Sequence, residues 1–360
     1  MPDLDEWLND DIKKKFNNIK WKEAILKIHT LDTKEILNSK YYKRLVFDEL
    51  FAHFLLSSKI RTKIKKIKKS QKIFKDCKEN LIKDLNFKLT NDQESAIKII
   101  NKDLKSKSRM FRLLQGDVGS GKTIVSMIAA VNSINAGYQA GFMVPTEILA
   151  KQHFSFASKY LPKNIKVQML TGKSKFAERK KILEDLKNGN IDFLIGTHSL
   201  FQKKVEYKKL GLIIIDEQHK FGVRQRKELS EKGGNNCDVL VMSATPIPRT
   251  MMMTVYGDMD LTLIKEKPKN RKKIITYSKL EDKISEIISF AKKEIAQKNQ
   301  IFWVCPLIEE SKKVEQQSAV SKYKYLEKYF KGRIGLIHGS LDKDERNEIL
   351  NNFLDRKLDI

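Results

Sequence analysis

The chain has 360 residues, long enough for two domains and an additional helical segment. Lys and Arg total 71 against 45 Asp and Glu, and the resulting +26 favours a polyanionic partner, although the abundance of Lys, Asn and Ile is also what an A+T-rich genome produces. Three scattered cysteines (Cys77, Cys237, Cys305) exclude a disulfide framework and a cysteine zinc site, and no run is apolar enough to span a membrane or act as a signal peptide, so a soluble, cytoplasmic protein is expected.

Residues 1 to 85 read as helices. Trp21, Ile25 and Ile28 share one helical face; Leu45, Leu50, Phe51, Phe54 and Leu55 form a denser stripe that Ile60, Ile64 and Ile67 continue. Seven of the eleven residues from Lys59 to Lys69 are Lys or Arg. Such a basic amphipathic helix can present a solvated face, follow a phosphate backbone, or lie on a membrane or protein surface. From about residue 86 the pattern changes to short apolar runs separated by helical segments: 111–114, 141–144, 167–170, 193–195, 212–215 and 239–242. This alternation predicts an α/β domain with a doubly wound parallel sheet. After a basic linker containing Pro268 and Asn270, a second strand series is predicted at 274–277, 301–305 and 334–337, with 358–360 opening another.

Gly116 to Thr123 reads GDVGSGKT and matches the phosphate-loop pattern G-x-x-x-x-G-K-[ST] without exception, with a strand before it and an apolar helix (124–134) behind it. Gly116, Gly119 and Gly121 free the backbone to turn its amides inward. Asp117, Val118 and Ser120 complete the cradle, and the helix beginning near Lys122 adds its positive end. Lys122 is placed to reach the β- and γ-phosphates and Thr123 to ligate Mg2+. Asp216 and Glu217 follow Gly211-Leu212-Ile213-Ile214-Ile215, a run with the β-branching of a buried parallel strand. Acids at the carboxyl end of such a strand sit where open α/β sheets bind ligands. Asp216 is the expected Mg2+ partner, and Glu217 the group that orients or deprotonates the attacking water. Gln218 and His219 are less determinate on their own.

DEQHKFGVRQR (216–226) and SATPIPRT (243–250), with GDVGSGKT, closely resemble the RecG family of superfamily-two DNA helicases, and the resemblance extends over nearly all of the chain. It implies catalytic roles for Lys122, Asp216, Glu217, Gln218 and His219, and an adenine-sensing entry at Phe87-Lys88-Leu89-Thr90 with Gln93. VPTEILAKQH (144–153), LTGKSK (170–175) and GTHSLFQ (196–202) resemble strand-tracking motifs. DNA contacts are therefore implied at Pro145, Thr146, Glu147, Thr171, Gly172, Thr197 and His198, where hydroxyls and loop amides would hold phosphates without reading bases. Ser243, Thr245 and Arg249 would couple nucleotide state to that grip, with Pro145, Pro246 and Pro248 stiffening the loops. VCPLIEES (304–311) and HGSL (338–341) resemble the start of a second motor domain.

The implied organisation is a helical connector over 1–85, a RecA-like ATP-binding domain over 86–265, and the start of a second RecA-like domain over 266–360. The implied function is an ATP- and Mg2+-dependent translocase on branched DNA that reverses forks and migrates Holliday junctions in recombination and repair. A single-stranded-DNA-binding protein is among the partners implied. The family's wedge domain and its last motor motifs would lie outside the chain, so weak ATP and DNA binding with little hydrolysis is expected of it alone. A transcription-repair coupling factor is the near alternative. It is disfavoured by Gln218 in DEQH, by Ser120, and by VCPLIEES. A non-hydrolysing ATP- and nucleic-acid-binding module is the alternative from another class.

Overall fold

A computed structural model describes residues 4–66, 69–77, 88–172, 174–202, 204–216, 234–245, 259–267, 274–305 and 312–360. They form two compact units, Met1–Arg271 and Lys272–Ile360.

The first unit begins with helices α1 (Asp10–Lys15), α2 (Trp21–Ile28), α3 (Thr33–Ile36) and the 27-residue α4 (Lys40–Lys66). The inward face of α4 differs from the predicted stripe. Leu50 and Leu55 face solvent, while a row of rings, Trp7 on Phe51 and Phe16 on Phe47, packs beside Arg44. Arg44 is 1% exposed and tolerates burial because Glu6 (2.8 Å) and Asp48 both pair with it. A basic side chain buried with two carboxylates supplies its own polar surroundings, so leucines were not needed there.

Beyond α4, residues 69–77 run as an extended strap over the next layer of structure. Lys69, predicted as the last residue of a basic surface run, is instead buried on Asp238, which Lys72 also contacts. At the strap's other end Asp76 accepts from the side-chain amides of Asn101 (2.9 Å) and Asn132 (3.3 Å), and the Cys77 amide donates to Asn132 (3.0 Å). Burial pushes the thiols of Cys77 and Cys237 up to about 12, so both are inert packing groups.

The sheet has seven strands, β1 (Phe111–Gly116), β2 (Gln139–Met143), β3 (Val167–Leu170), β4 (Phe193–Gly196), β5 (Leu210–Asp216), β6 (Asp238–Ser243) and β7 (Asp260–Ile264). Their order is β3-β4-β2-β5-β6-β1-β7, and every pairing is parallel. The six apolar runs of the sequence are β1 to β6. The edge strand β7 was not predicted; Asp260-Leu261-Thr262-Leu263-Ile264 is short, and its leucines are interrupted by Thr262 rather than forming a continuous apolar run. Helices α5 (Asn91–Lys105), α6 (Lys122–Asn135), α7 (Glu147–Tyr160) and α8 (Phe176–Asn188) cover the sheet. Alternation along β5 divides the core: Leu212 and Ile214 pack with α5, α6 and α7, whereas Ile213 and Ile215 pack with α8 on the other face. The fold is α/β and doubly wound.

The second unit contains α9 (Ile284–Ala296), α10 (Lys312–Glu327) and α11 (Lys343–Leu354) around Ile288, Ala291, Leu326, Phe330 and Ile360. The strands predicted here are not formed as regular strands among the described residues. Segments 301–305, 333–335 and 358–360 are extended and share isolated parallel-type bonds, Ile301 N–H to Asp359 O and Gly335 N–H to Ile360 O, both 2.8 Å. Segment 274–277 lies open, with Ile274, Ile275 and Tyr277 exposed, so its apolar side chains have no layer to bury against within this unit.

Candidate nucleotide and nucleic-acid site

The predicted phosphate loop joins the carboxyl end of β1 to the start of α6. Gly119 (φ 72°) and Gly121 (φ 86°) hold left-handed backbone that a side chain would strain. Gly116 is constrained differently: its backbone is ordinary, but a Cβ would collide with the Ser120 hydroxyl and the Ile264 carbonyl of β7. Lys122 is buried, and its ammonium donates to the carbonyls of Gly116 (2.7 Å) and Asp117 (3.0 Å), which holds it across the mouth of the loop. Asp117 turns away from the cradle. Its carboxylate accepts from Lys267 (2.6 Å) and from the Val118 amide, and these two bonds hold its pKa below the usual carboxylate range. Val118 is exposed at the loop's tip and Ser120 is enclosed beneath it.

Gln93 reaches this loop through a capping box. Thr90 caps α5 by accepting from the Gln93 amide, and Gln93 Oε1 accepts from the Thr90 amide at 3.0 Å. The free end of the same side chain, Nε2, then donates to the Ser120 carbonyl at 2.7 Å. Gln93 is thus fixed at both ends and braces the loop from the side. Phe87 lies outside the described residues.

Asp216 ends β5, two strands from β1, with its side chain 14% exposed. Thr123 opens α6 one residue beyond Lys122. A hydroxyl and a carboxylate are hard oxygen donors of the kind Mg2+ takes alongside phosphate oxygens, and such sites need no all-protein cage. The residues present fit the group. Glu217, Gln218 and His219 lie outside the described residues.

The remaining predicted positions follow the carboxyl ends of β2, β3, β4 and β6. Pro145 and Thr146 lead into α7, whose first residue is Glu147; the Thr146 hydroxyl caps it by accepting from the Leu149 amide at 3.3 Å. Thr171 follows β3 and is buried in a tight turn with Ser174, whereas its neighbour Gly172 is exposed. Thr197 follows β4 and leads into a single 3-10 turn that begins at His198. Ser243 ends β6, and its hydroxyl bonds that of Thr245 at 2.9 Å. Arg249 lies outside the described residues, as do Pro246 and Pro248. Residues far apart in sequence are therefore gathered on one edge of the sheet, where parallel strands place ligands.

A protein-family profile described as DEAD/DEAH box helicase matches residues 90–254. A curated ATP-dependent DNA helicase RecG from Bacillus subtilis is 42% identical over 97% of this chain and 52% of its own length. The corresponding protein of Thermotoga maritima is 44% identical over 99% of this chain and 46% of its own. A solved structure of RecG bound to a three-way DNA junction aligns with a TM-score of 0.78 at 40% identity, covering 99% of this chain and 47% of that one. Over nearly its whole length the chain is similar to RecG helicases. It spans about half the length of the curated relatives it matches.

Two contacts in this site were not among the expectations from the sequence. Gln115, the last residue of β1 before Gly116, donates from Nε2 to the Thr245 carbonyl at 2.9 Å and so ties the loop after β6 to the strand that carries the phosphate loop. A glutamine late in a buried strand could have been noticed as a polar group needing a partner. His153 of α7 lies against Asp216, with Nε2 3.7 Å from a carboxylate oxygen. A lone histidine on a helix gives no such hint.

Proposed function

We propose that this chain is the nucleotide-binding part of an ATP-dependent translocase that acts on branched DNA, remodelling forks and Holliday junctions in recombination and repair. One observation carries the reading: the phosphate loop, Gln93, Asp216 and the Ser243–Thr245 turn share one sheet edge, where Gln93 bonds the phosphate loop and Gln115 bonds the Ser243–Thr245 turn to the strand before that loop. Loop amides and Lys122 would bind the phosphates, and Gln93 would hold the loop in register for the base. Magnesium would neutralise charge on the β- and γ-phosphates, held by Thr123 and Asp216. Glu217 would orient the attacking water. The Gln115 link would pass a change at the phosphate loop to Thr245, and Pro145, Thr146, Gly172 and Thr197 would meet the DNA backbone along the same edge.

The substrate class is supported by the likeness to RecG helicases, one of which is solved bound to a three-way DNA junction. Unwinding and branch migration are assigned to the whole protein, in the cytoplasm, with a single-stranded-DNA-binding protein as a candidate partner. Glu217→Gln tests the reading. Nucleotide binding is expected to persist, while DNA-stimulated ATP turnover of the intact protein falls by two or more orders of magnitude, roughly the scale for a lost catalytic group. Turnover that survives the substitution would overturn the role of Glu217, and an intact protein without turnover before substitution would instead be a non-hydrolysing binding module.

A further inference from the structure

His153 lies in the helix that follows β2, and its position is set by packing. The buried residues of α7 are Ala150, His153 and Ala157, at helical spacing, so this face lies on the sheet. The imidazole packs on Phe142 of β2, ring centroids 4.8 Å apart and 36° from parallel. Phe142 pairs in register with Ile214 of β5. Ile214 belongs to the same core cluster as Phe142, Ala150 and Ala157, and side chains two apart along a strand share a face. Asp216 therefore projects from β5 toward α7, and His153 is the polar group that α7 places there.

The imidazole Nε2 is enclosed and makes no hydrogen bond among the described residues, while Asp216 Oδ2 lies 3.7 Å from it. Leucine or phenylalanine would fill this apolar position without enclosing a polar atom, so the nitrogen calls for a partner. The Asp216 carboxylate, just beyond bonding distance, is the group aligned to be one.

We propose that His153 is a positioning residue for Asp216: its imidazole donates Nε2–H to one carboxylate oxygen and leaves the other directed at the phosphate-loop edge. It rests on the reading above that Asp216 anchors the cation. A carboxylate hydrogen-bonded from behind has one orientation instead of several, so less ordering remains when the cation binds. The helix that carries His153 begins at Thr146 and Glu147, so the same contact joins that loop to the cation anchor.

The test is a magnesium titration of fluorescent-ATP binding by the intact protein, with His153→Phe, His153→Gln and Asp216→Asn. Phenylalanine retains the ring packing on Phe142 and removes the donor; glutamine restores an N–H. His153→Phe is expected to bind nucleotide in EDTA like wild type and to need about tenfold more Mg2+ for tight binding, the scale of outer-shell losses. His153→Gln should recover most of that difference, and His153→Phe should add little in an Asp216→Asn background. If phenylalanine is not accommodated, as a melting curve reports, His153→Leu takes its place. Wild-type Mg2+ dependence in the folded donor-free variant, with Asp216→Asn impaired, overturns the positioning role and leaves a core filler. Wild-type dependence in Asp216→Asn overturns the cation assignment itself.

Discussion

The two edges of the sheet treat charge in opposite ways. At the amino edge the side chains of Lys69, Lys72 and Asp238 are 0% exposed, and their charged atoms are densely bonded. Asp238 accepts from Lys69 (2.5 and 2.7 Å), Lys72 (2.6 Å) and the Met110 amide (2.7 Å), while the lysines also donate to the carbonyls of Asp103, Leu104 and Asn236. Burial still pulls the Lys69 pKa below its ordinary value, with Asp238 opposing the shift. At the carboxyl edge Lys122 rests on two loop carbonyls, Asp117 is turned to an exposed lysine, and the Asp216–His153 contact stands open at 3.7 Å. One edge is complete by itself. The other holds its charges in arrangements that a ligand can displace.

Substitutions at the two edges should therefore separate folding from function. Lys122→Ala is expected to lower ATP turnover of the intact protein by about a thousandfold, the upper range for losing one preorganised electrostatic group, with little change in melting temperature. A large drop in melting temperature would show that the carboxyl edge is also a folding element. Asp238→Leu strands two buried ammoniums and should destabilise the protein by about 3–5 kcal/mol in urea unfolding. Combining it with Lys69→Met and Lys72→Met should recover most of that loss, because a well-packed apolar trio leaves no unpaired charge.

The smallest expected effect also lies at the carboxyl edge. Asp92, in the first turn of α5, accepts from the amides of Glu266 (2.9 Å) and Lys265 (2.8 Å), which lower its pKa, the Glu266 bond most. A depressed carboxylate contributes stability above its unfolded pKa of about 4 and loses it as pH falls through the lower folded value. Wild type should thus exceed Asp92→Asn in melting temperature at pH 7, and the two should converge in more acidic buffer. A gap that stays constant with pH would mean the loss comes from packing rather than charge.

Much of this was legible beforehand, for physical reasons. Runs such as Leu212-Ile213-Ile214-Ile215 announce a strand buried on both faces, and GDVGSGKT encodes backbone geometry through glycine, so β1 to β6 and the loop could be placed by residue. What stayed hidden depends on partners distant in sequence. Lys69 read as the end of a basic surface run, whether solvated or facing a partner, because Asp238 lies 169 residues away. β7 is an edge strand with Leu263 outward, and its short mixed sequence resembles a loop. The apolar run at 274–277 had a strand's composition, yet composition cannot supply the neighbour that a strand must pair with.

The strap at 69–77 is fastened at two points, and each fastening is the far end of a rod aimed at the nucleotide edge. Asp238 begins β6, which ends about 17 Å away at Ser243, at a strand's rise per residue. Asn132 sits about 15 Å of helix from Lys122 along α6. Helix α4 ends three residues before the first fastening. The strap is therefore bound to the start of a strand and to the body of a helix, which lead over nearly equal lengths to the Ser243 turn and to the phosphate loop.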